Sequence, residues 1–405
     1  MRNESDNTLE ELERFRSLTA AWLEANCPAD MRGPPSSEAD MCWGGRRGAF
    51  ASPAQRLWLE RMIARGWTVP EWPRQYGGAG LDGEHARILR QEMSRLDCRA
   101  PLMSFGISML GPALLRFGSE AQRREHLPPI ARGEIRWCQG YSEPGAGSDL
   151  ASLATGAEDR GDHFLVNGQK IWTSYADLSD WIFCLVRTDA AAPKHRGIGF
   201  LLIDMDSPGV ATRPIRLISG KSPFCETFFE NVRVPKENLV VSPGGGWEIA
   251  KYLLTHERES IGSMDLLTRD ATPLHELAVR SVGLEGGRLA DDLLRAELAR
   301  WQVDSLAFGL TLQRLREAAA GGQGLGPWSS VLKYCGTELN KRREDLAMSI
   351  AGVRGLLWRE AAGGASGDGE TARAWLRSKG NSIEGGTSEI QLNIIARHLL
   401  GLPGA

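Results

Sequence analysis

Cysteine is scarce: seven residues in a chain of 405, at positions 27, 42, 98, 138, 184, 225 and 335. They are scattered and odd in number, with no Cys-x-x-Cys pair. That excludes a disulfide framework and the ligand spacing of a zinc site, so no metal is expected and reduced, buried thiols are the simplest account. A surplus of either charge is also lacking. Lys plus Arg number 48 against 51 Asp plus Glu, a formal net charge of −3, and basic residues gather only in short runs such as Arg123–Arg124 and Lys341–Arg343. No basic stripe for nucleic acid emerges. No apolar run approaches a membrane span. The opening MRNESDNTLEELERF is acidic and amphipathic, unlike a signal peptide. No internal repeat is visible. What remains, with 42% hydrophobic and 24% charged residues, is a soluble globular chain expected in the cytoplasm. It is long enough for two or three layers or domains.

Three zones follow from periodicity. Residues 1–135 read as helical: Leu9, Leu12, Phe15, Leu18 and Trp22 recur at helical spacing. Ser52-Pro53 opens a second helix that stops at Gly66, and Ser119 caps a third that should end at Pro128 and Pro129. Residues 136–242 read as a compact, mostly antiparallel β domain, with Asn167-Gly168 as a hairpin turn inside HFLVNGQKIWTSY and further strands in DWIFCLVRTD, GIGFLLIDM, VATRPIRLI and TFFENVRVP. Residues 243–405 return to helix after the joint Gly244–Gly246. Ser388 and Gln391 have capping-box spacing, Gly401 stands where a C-cap glycine belongs, and AAAGGQGLGP and AAGGASGDGE read as loops.

Five stretches invite chemistry, each with a plainer reading beside it. Gly78 to Gly83 fits GxGxxG, yet EWPRQY before it is no strand, so a surface loop is expected. GYSEPGAGSDLAS, residues 140–152, is too glycine-rich for a helix and too polar for a buried strand. It either brings backbone and hydroxyls against a ligand or is a turn cluster. Trp172 and Ser174 share a strand face by period two, which suits a flat heteroaromatic ligand; Trp172 as core is the alternative. Glu257 lies on a stripe with Ile249, Leu253 and Ile261. A carboxylate there is costly unless paired or protonated, and a carboxyl lifted by burial suits general-base work; a salt bridge with Arg258 or His256 is the alternative. Glu384 precedes two glycines at a helix entry, either a ligand-facing loop or a simple turn.

Taken together and in order, these stretches resemble the acyl-CoA dehydrogenase family over nearly the whole chain. WPRQYGGAGL looks like its N-terminal signature, YSEPGAGSDLAS and NGQKIWTS like its two flavin motifs, and NVRVP and GGTSEIQLNIIAR follow in the family's order. The resemblance implies an α+β fold: a helical N-domain, a middle antiparallel β domain and a C-terminal helical bundle, with FAD between the last two. It implies α,β-dehydrogenation of an acyl-CoA to the trans-2-enoyl-CoA, a base taking the α proton while the β hydride passes to flavin N5. A cofactor is required because no side chain accepts a hydride.

Carried over by position, Gln139, Tyr141 and Ser142 would border the flavin. Trp172 and Ser174 would pack against and hydrogen-bond its ring, and Thr387 would contact the cofactor from the C-terminal loop. Ser148 would lie near the CoA arm and Arg258 near the thioester. The family places its base either directly before Gly-Thr, here Gly385 with no side chain, or in a Glu-Arg pair, here Glu257-Arg258. Glu257 is therefore the expected base and Glu384, one place early, the alternative. The resemblance further implies an electron-transferring flavoprotein as acceptor and a homo- or hetero-oligomer. GLEGGRLADDLL and AGVRGLLWREAAGG depart from the family's adenosine-binding stretches. In this the chain is similar to large subunits of bacterial two-subunit enzymes, including those for dicarboxylic and steroid-side-chain thioesters. The same fold hosts oxidases and monooxygenases, and non-catalytic partner subunits are a further possibility, against which a filled Glu257 argues.

Overall fold

The computed structural model describes residues 4–35, 40–264, 273–320, 325–358 and 369–403. The chain divides into two compact units, one of Met1–Ile215 with Pro223–Ala250, the other of Arg216–Ser222 with Lys251–Ala405.

The first unit opens with five helices: α1 (Glu4–Asn26), α2 (Pro53–Ala64), α3 (Gly83–Arg95), α4 (Gly111–Phe117) and α5 (Glu120–Ala131). On α1 the packed face differs from the expected stripe. Leu9 and Leu18 are exposed, Leu12, Phe15 and Trp22 of that stripe are half-buried, and among the described residues Thr19 and Leu23 are buried. A polar pair sets this orientation: Arg16 reaches the buried Glu92 of α3 at 2.8 Å, which hydrophobic spacing alone does not register. Ser52 caps α2 through Gln55 N and Pro53 takes its first turn, as expected. Asp82 caps α3, and the GxGxxG stretch is the loop before it.

Ser119 and Gln122 close a reciprocal capping box on α5. This helix does not stop at the prolines but runs through Pro128 and Pro129. They fall in its last turn, where few bonds are forfeited, and their carbonyls still accept Arg132 N and Glu134 N. Burial of Leu127 and Ile130, both fully inaccessible, outweighs the rest. Ser119→Ala is expected to cost about 1 kcal/mol, read as a lowered denaturation midpoint. Gln122→Ala should cost more, because its amide also donates to Glu237 O and Leu239 O at 2.7 and 3.0 Å.

The sheet follows: β1 (Trp137–Gly140), β2 (Gly156–Asp159), β3 (His163–Ser174), β4 (Trp181–Arg187), β5 (Ile198–Asp204), β6 (Val210–Ile215), β7 (Phe224–Pro235) and β8 (Leu239–Val240). Its order is β6-β7-β3-β2-β4-β5-β8, with β1 also on β4. Pairings are antiparallel except β1 and β2 on β4, which are parallel. One face buries Phe164, Val166, Ile182, Cys184, Leu201 and Val232.

Asn167-Gly168 is not a hairpin turn. β3 is one strand of 12 residues, and the hairpin lies between β2 and β3 around Gly161. The turn-forming residues answer an irregularity in β7. Asn231 there takes a positive φ of 52° and donates its N–H to Asn167 Oδ1 at 2.8 Å. A side chain on Gly168 would place its Cβ 2.6 Å from Thr155 Cα. The pairing shifts once between Val166 and Gly168 and again between Lys170 and Thr173.

α6 (Gly246–Met264) opens the second helical zone. α7 (Leu274–Val282), the small ribbon β9 (Leu284–Glu285) and β10 (Arg288–Leu289), α8 (Asp292–Ala320), α9 (Trp328–Ala351), α10 (Glu370–Ser378) and α11 (Ser388–His398) complete it. α9 is the hub, with Leu332, Lys333 and Thr337 fully buried. Trp301 Nε1 ties α8 to Leu339 O and Trp375 Nε1 ties α10 to Asp345. The N-cap of α11 is Thr387, accepting Ile390 N, rather than Ser388. Ser388 is buried instead, its hydroxyl 3.3 Å from Glu338 Oε1. The first glycine-rich stretch begins helical, since α8 runs to Ala320; residues 321–324 of it, and 361–368 of the second, lie outside the described residues. All seven cysteines are free thiols. Among the described residues no helix is long and apolar enough to cross a membrane.

Candidate active site

The loop after β1 is tightly held. Glu143 and Ala146 exchange both backbone hydrogen bonds at 3.0 Å, folding Pro144-Gly145 into an exposed tip. Beneath it lies an ion pair that the sequence reading missed. Lys170, fully buried on β3, donates to Glu143 Oε1 at 2.7 Å and to Tyr141 O at 3.1 Å. Glu143 also accepts Ala154 N at 2.6 Å and Thr155 N at 2.9 Å. Burial pushes the Glu143 carboxyl up, but the charge of Lys170 and these hydrogen bonds prevail and hold it below the usual value. Strand alternation carried the signal for Lys170: it shares its side of β3 with Phe164 and Val166.

Five expected flavin-side residues lie on β1, in the loop after it and at the end of β3. Gln139 is half-buried on β1. Tyr141 is buried, its ring edge-on to Phe183 at 6.2 Å. Ser142 O accepts Ile171 N at 2.9 Å, which stitches the loop to β3 one residue before Trp172. Trp172 is not core. Its indole is 52% exposed and its φ is 62°, a left-handed conformation that a bulky residue adopts only where its surroundings enforce it. Phe224 meets it edge-on at 6.1 Å. Ser174 lies on the same side of the strand, with the buried Thr173 facing the other way. Ser148 is exposed farther along the loop, next to Asp149, which is held by Ser152 and Lys194.

The other expected residues belong to the second unit. Glu257 is half-buried on α6, one turn beyond the fully buried Leu253. Arg258 follows it on α6, its side chain outside the described residues. The C-terminal loop is clasped to α9 and α10. Lys333 Nζ donates to Asn381 O at 2.8 Å, Asn340 to Asn381 Oδ1 at 2.9 Å and Lys341 to Ser382 Oγ at 2.6 Å. Glu384 sits in the fork of Arg377, at 3.2 and 2.7 Å, and accepts Asn381 Nδ2 at 2.6 Å. Gly385 and Gly386 have φ of 64° and 93°, and Gln391 Nε2 donates to both carbonyls. Thr387 caps α11.

Family models for the N-terminal, middle and C-terminal domains of acyl-CoA dehydrogenases match residues 36–134, 138–232 and 244–400. The acyl-CoA dehydrogenase IpdE1 of Mycobacterium tuberculosis is 36% identical over 403 residues, covering 98% of this chain and 99% of its own. Among solved structures, the Tcur3481-Tcur3483 steroid ACAD is 29% identical with a TM-score of 0.77, covering 98% of both chains. The ChsE4-ChsE5 complex of Mycobacterium tuberculosis is 28% identical with a TM-score of 0.73, again covering 98% of both. With its three domains matched in order and a relative alike from end to end, the chain belongs to the acyl-CoA dehydrogenase family.

Proposed function

We propose that the chain is an FAD-dependent enzyme that converts an acyl-CoA to its trans-2-enoyl-CoA, with Glu257 as the α-proton base. The family is flavin-dependent and its members are oxidoreductases acting on acyl-CoA. The observation that carries the assignment to FAD is Trp172: an exposed indole turned outward by a positive φ, beside a loop pinned by a buried ion pair. An aromatic face with Ser142 and Ser174 nearby fits a flat heteroaromatic ring. Gln139, Tyr141, Ser142, Trp172, Ser174 and Thr387 would hold the cofactor. When bound, the flavin supplies the hydride acceptor that protein side chains lack.

The chain's own residues supply the acid–base and binding parts. Glu257 takes the α proton. Arg258 on α6 and Ser148 on the loop bind the thioester and CoA ends. The choice of base is supported from the loop side: Gly385 offers no side chain, and the Glu384 carboxylate already serves Arg377 and Asn381. Glu384→Gln should therefore leave the reductive half-reaction within tenfold of wild type and lower the denaturation midpoint. A loss of several hundredfold would instead make Glu384 the base.

The acceptor that suits this reading is an electron-transferring flavoprotein. The steroid enzyme among the relatives makes a steroid-derived CoA thioester the first substrate to try, beside straight-chain and dicarboxylic ones. The deciding experiment is the anaerobic visible spectrum of the purified chain before and after each thioester. A yellow protein that bleaches with one class, and reoxidises slowly in air, supports dehydrogenation. Fast reoxidation by dioxygen points to an oxidase, and a colourless chain that takes up no FAD overturns the assignment.

A further inference from the structure

Two cysteines, far apart in sequence, are brought together where α1 and α3 end. α3 stops in a Schellman turn. Asp97 takes a φ of 53°, its N–H donates to Ser94 O at 3.3 Å, and the N–H of Cys98 donates to Met93 O at 2.8 Å. The turn returns Cys98 to the helix end. Arg32 pairs with Cys98 in an antiparallel bridge, and Gly33 N on Asp97 O and Arg99 N on Met31 O, each at 2.9 Å, complete the strap. Cys27, the residue after α1, turns its thiol to the same strap, with Sγ 3.6 Å from Met31 O. The two thiols hydrogen-bond one another.

Two guanidinium groups hold the carbonyls around this pair. Arg32 donates to Leu96 O at 2.9 Å on the side of α3, and to Leu23 O and Glu24 O at 3.1 and 3.3 Å on α1. Arg61 of α2 donates to Asn26 O. Positive charge therefore stands beside the sulfurs, at helix ends whose bare carbonyls would disfavour a thiolate. The hydrogen bond from Cys27 and the charge of Arg32 bring the Cys98 thiol below its ordinary value against the pull of burial, and the same contact raises Cys27. Burial pushes the other five thiols up. Cys98 is also half-buried, where Cys27 is 7% exposed, so Cys98 is the sulfur that a small oxidant reaches.

We infer that Cys27 and Cys98 are an oxidisable pair that a hydroperoxide converts to a disulfide, with Cys98 as the attacking sulfur. The Cys98 thiolate attacks one peroxide oxygen. An S–O bond forms, the O–O bond breaks, and the departing oxygen takes up a proton and leaves as water or alcohol. The Cys27 sulfur then attacks the sulfenic sulfur of Cys98. An S–S bond forms, the S–O bond breaks, and the hydroxide released takes the Cys27 proton and leaves as water. The two cysteines give up two electrons and the peroxide accepts them. Side chains already in hydrogen-bond contact need little movement to reach disulfide geometry. The new bond staples the end of α1 to the end of α3 and closes a loop that contains α2 and α3, which restrains the unfolded chain. None of this depends on the chemistry proposed for Glu257.

Exposure of the full chain, cofactor bound, to a small excess of hydrogen peroxide tests the pair. When the remaining thiols are alkylated in denaturant, two of the seven should be lost together. Peptide mapping without reductant should show Cys27 joined to Cys98. The oxidised chain should melt at a higher midpoint, and dithiothreitol should restore both the thiols and the original midpoint. Cys27→Ser should stop at the sulfenic acid of Cys98, trapped by dimedone, and Cys98→Ser should leave Cys27 unoxidised. A wild type that keeps all seven thiols overturns the inference. So does a linked peptide other than Cys27 with Cys98, a first loss at Cys335, or a Cys27→Ser variant in which dimedone labels nothing at Cys98.

Discussion

Glu257→Gln is expected to bind acyl-CoA and fail to bleach its flavin. The substitution keeps the shape and removes the proton acceptor, so binding and chemistry should separate. General-base removal is worth roughly 10²- to 10⁴-fold in rate. The reductive half-reaction, followed anaerobically in a stopped-flow spectrometer, should slow by that range. The spectral perturbation on mixing with acyl-CoA should titrate with a near wild-type Kd. The expectation rests on α6, which carries Glu257 one turn past the fully buried Leu253. Near-normal flavin reduction in the variant would sink the assignment and return the role to Glu384.

Lys170→Met should destabilise the first unit by about 3–5 kcal/mol, the cost of leaving one member of a buried ion pair uncompensated. Lys170 has no exposed surface and Glu143 is 8% exposed, so water cannot take the place of the missing partner. The denaturation midpoint reads the loss, and a second change, Glu143→Gln, should recover part of it by removing the stranded charge. Acid sharpens the test. Glu143 titrates below its ordinary value of 4.5 in the folded chain. Its contribution is therefore complete above that value and is lost as pH falls through the lower, folded one. Lys170→Met removes the attraction that depresses the value, so the gap between wild type and variant should narrow on acidification below about 4.5. A gap that stays constant or widens would mean that the ammonium is not what stabilises the carboxylate. FAD affinity should fall together with stability, because the same ammonium fixes Tyr141 O in the loop.

Much of this molecule was legible where a signal is local. Ser52-Pro53, the Ser119 cap and the strands from Trp181 to Pro235 lie as the residues suggest. The failures share a cause, a distant partner that overrides a local preference. Asn167-Gly168 has the chemistry of a turn, but Asn231, 64 residues away, uses it to settle a bulge. Pro128 and Pro129 ought to end a helix, but buried neighbours carry the backbone on. Ser388 has capping spacing, but Thr387 caps and Ser388 is drawn to Glu338. In the site, the exposed hydroxyls and the indole were readable as types. The ion pair beneath them was not, because a lysine and a glutamate 27 residues apart look like two surface charges until the strand is folded.

The two irregularities of β3 have a joint consequence. Paired residue numbers on β3 and β7 sum to 398 at Val166 and Val232, to 397 at Gly168 with Phe229 and Lys170 with Thr227, and to 398 again at Thr173 with Cys225. The extra residue in β7 is cancelled by one in β3, so the outer parts of the ladder remain in phase while the stretch between runs one step out. Each offset is local, one unmatched residue held between regular pairs on either side. Deleting one residue at Ile171–Trp172 would restore one-to-one pairing between Lys170 with Thr227 and Thr173 with Cys225, keeping Thr173 buried and Ser174 on the opposite side. Deleting one at Glu230–Asn231 as well would make the whole ladder regular, at the cost of the outward-facing indole and of the bond between Asn231 and Asn167.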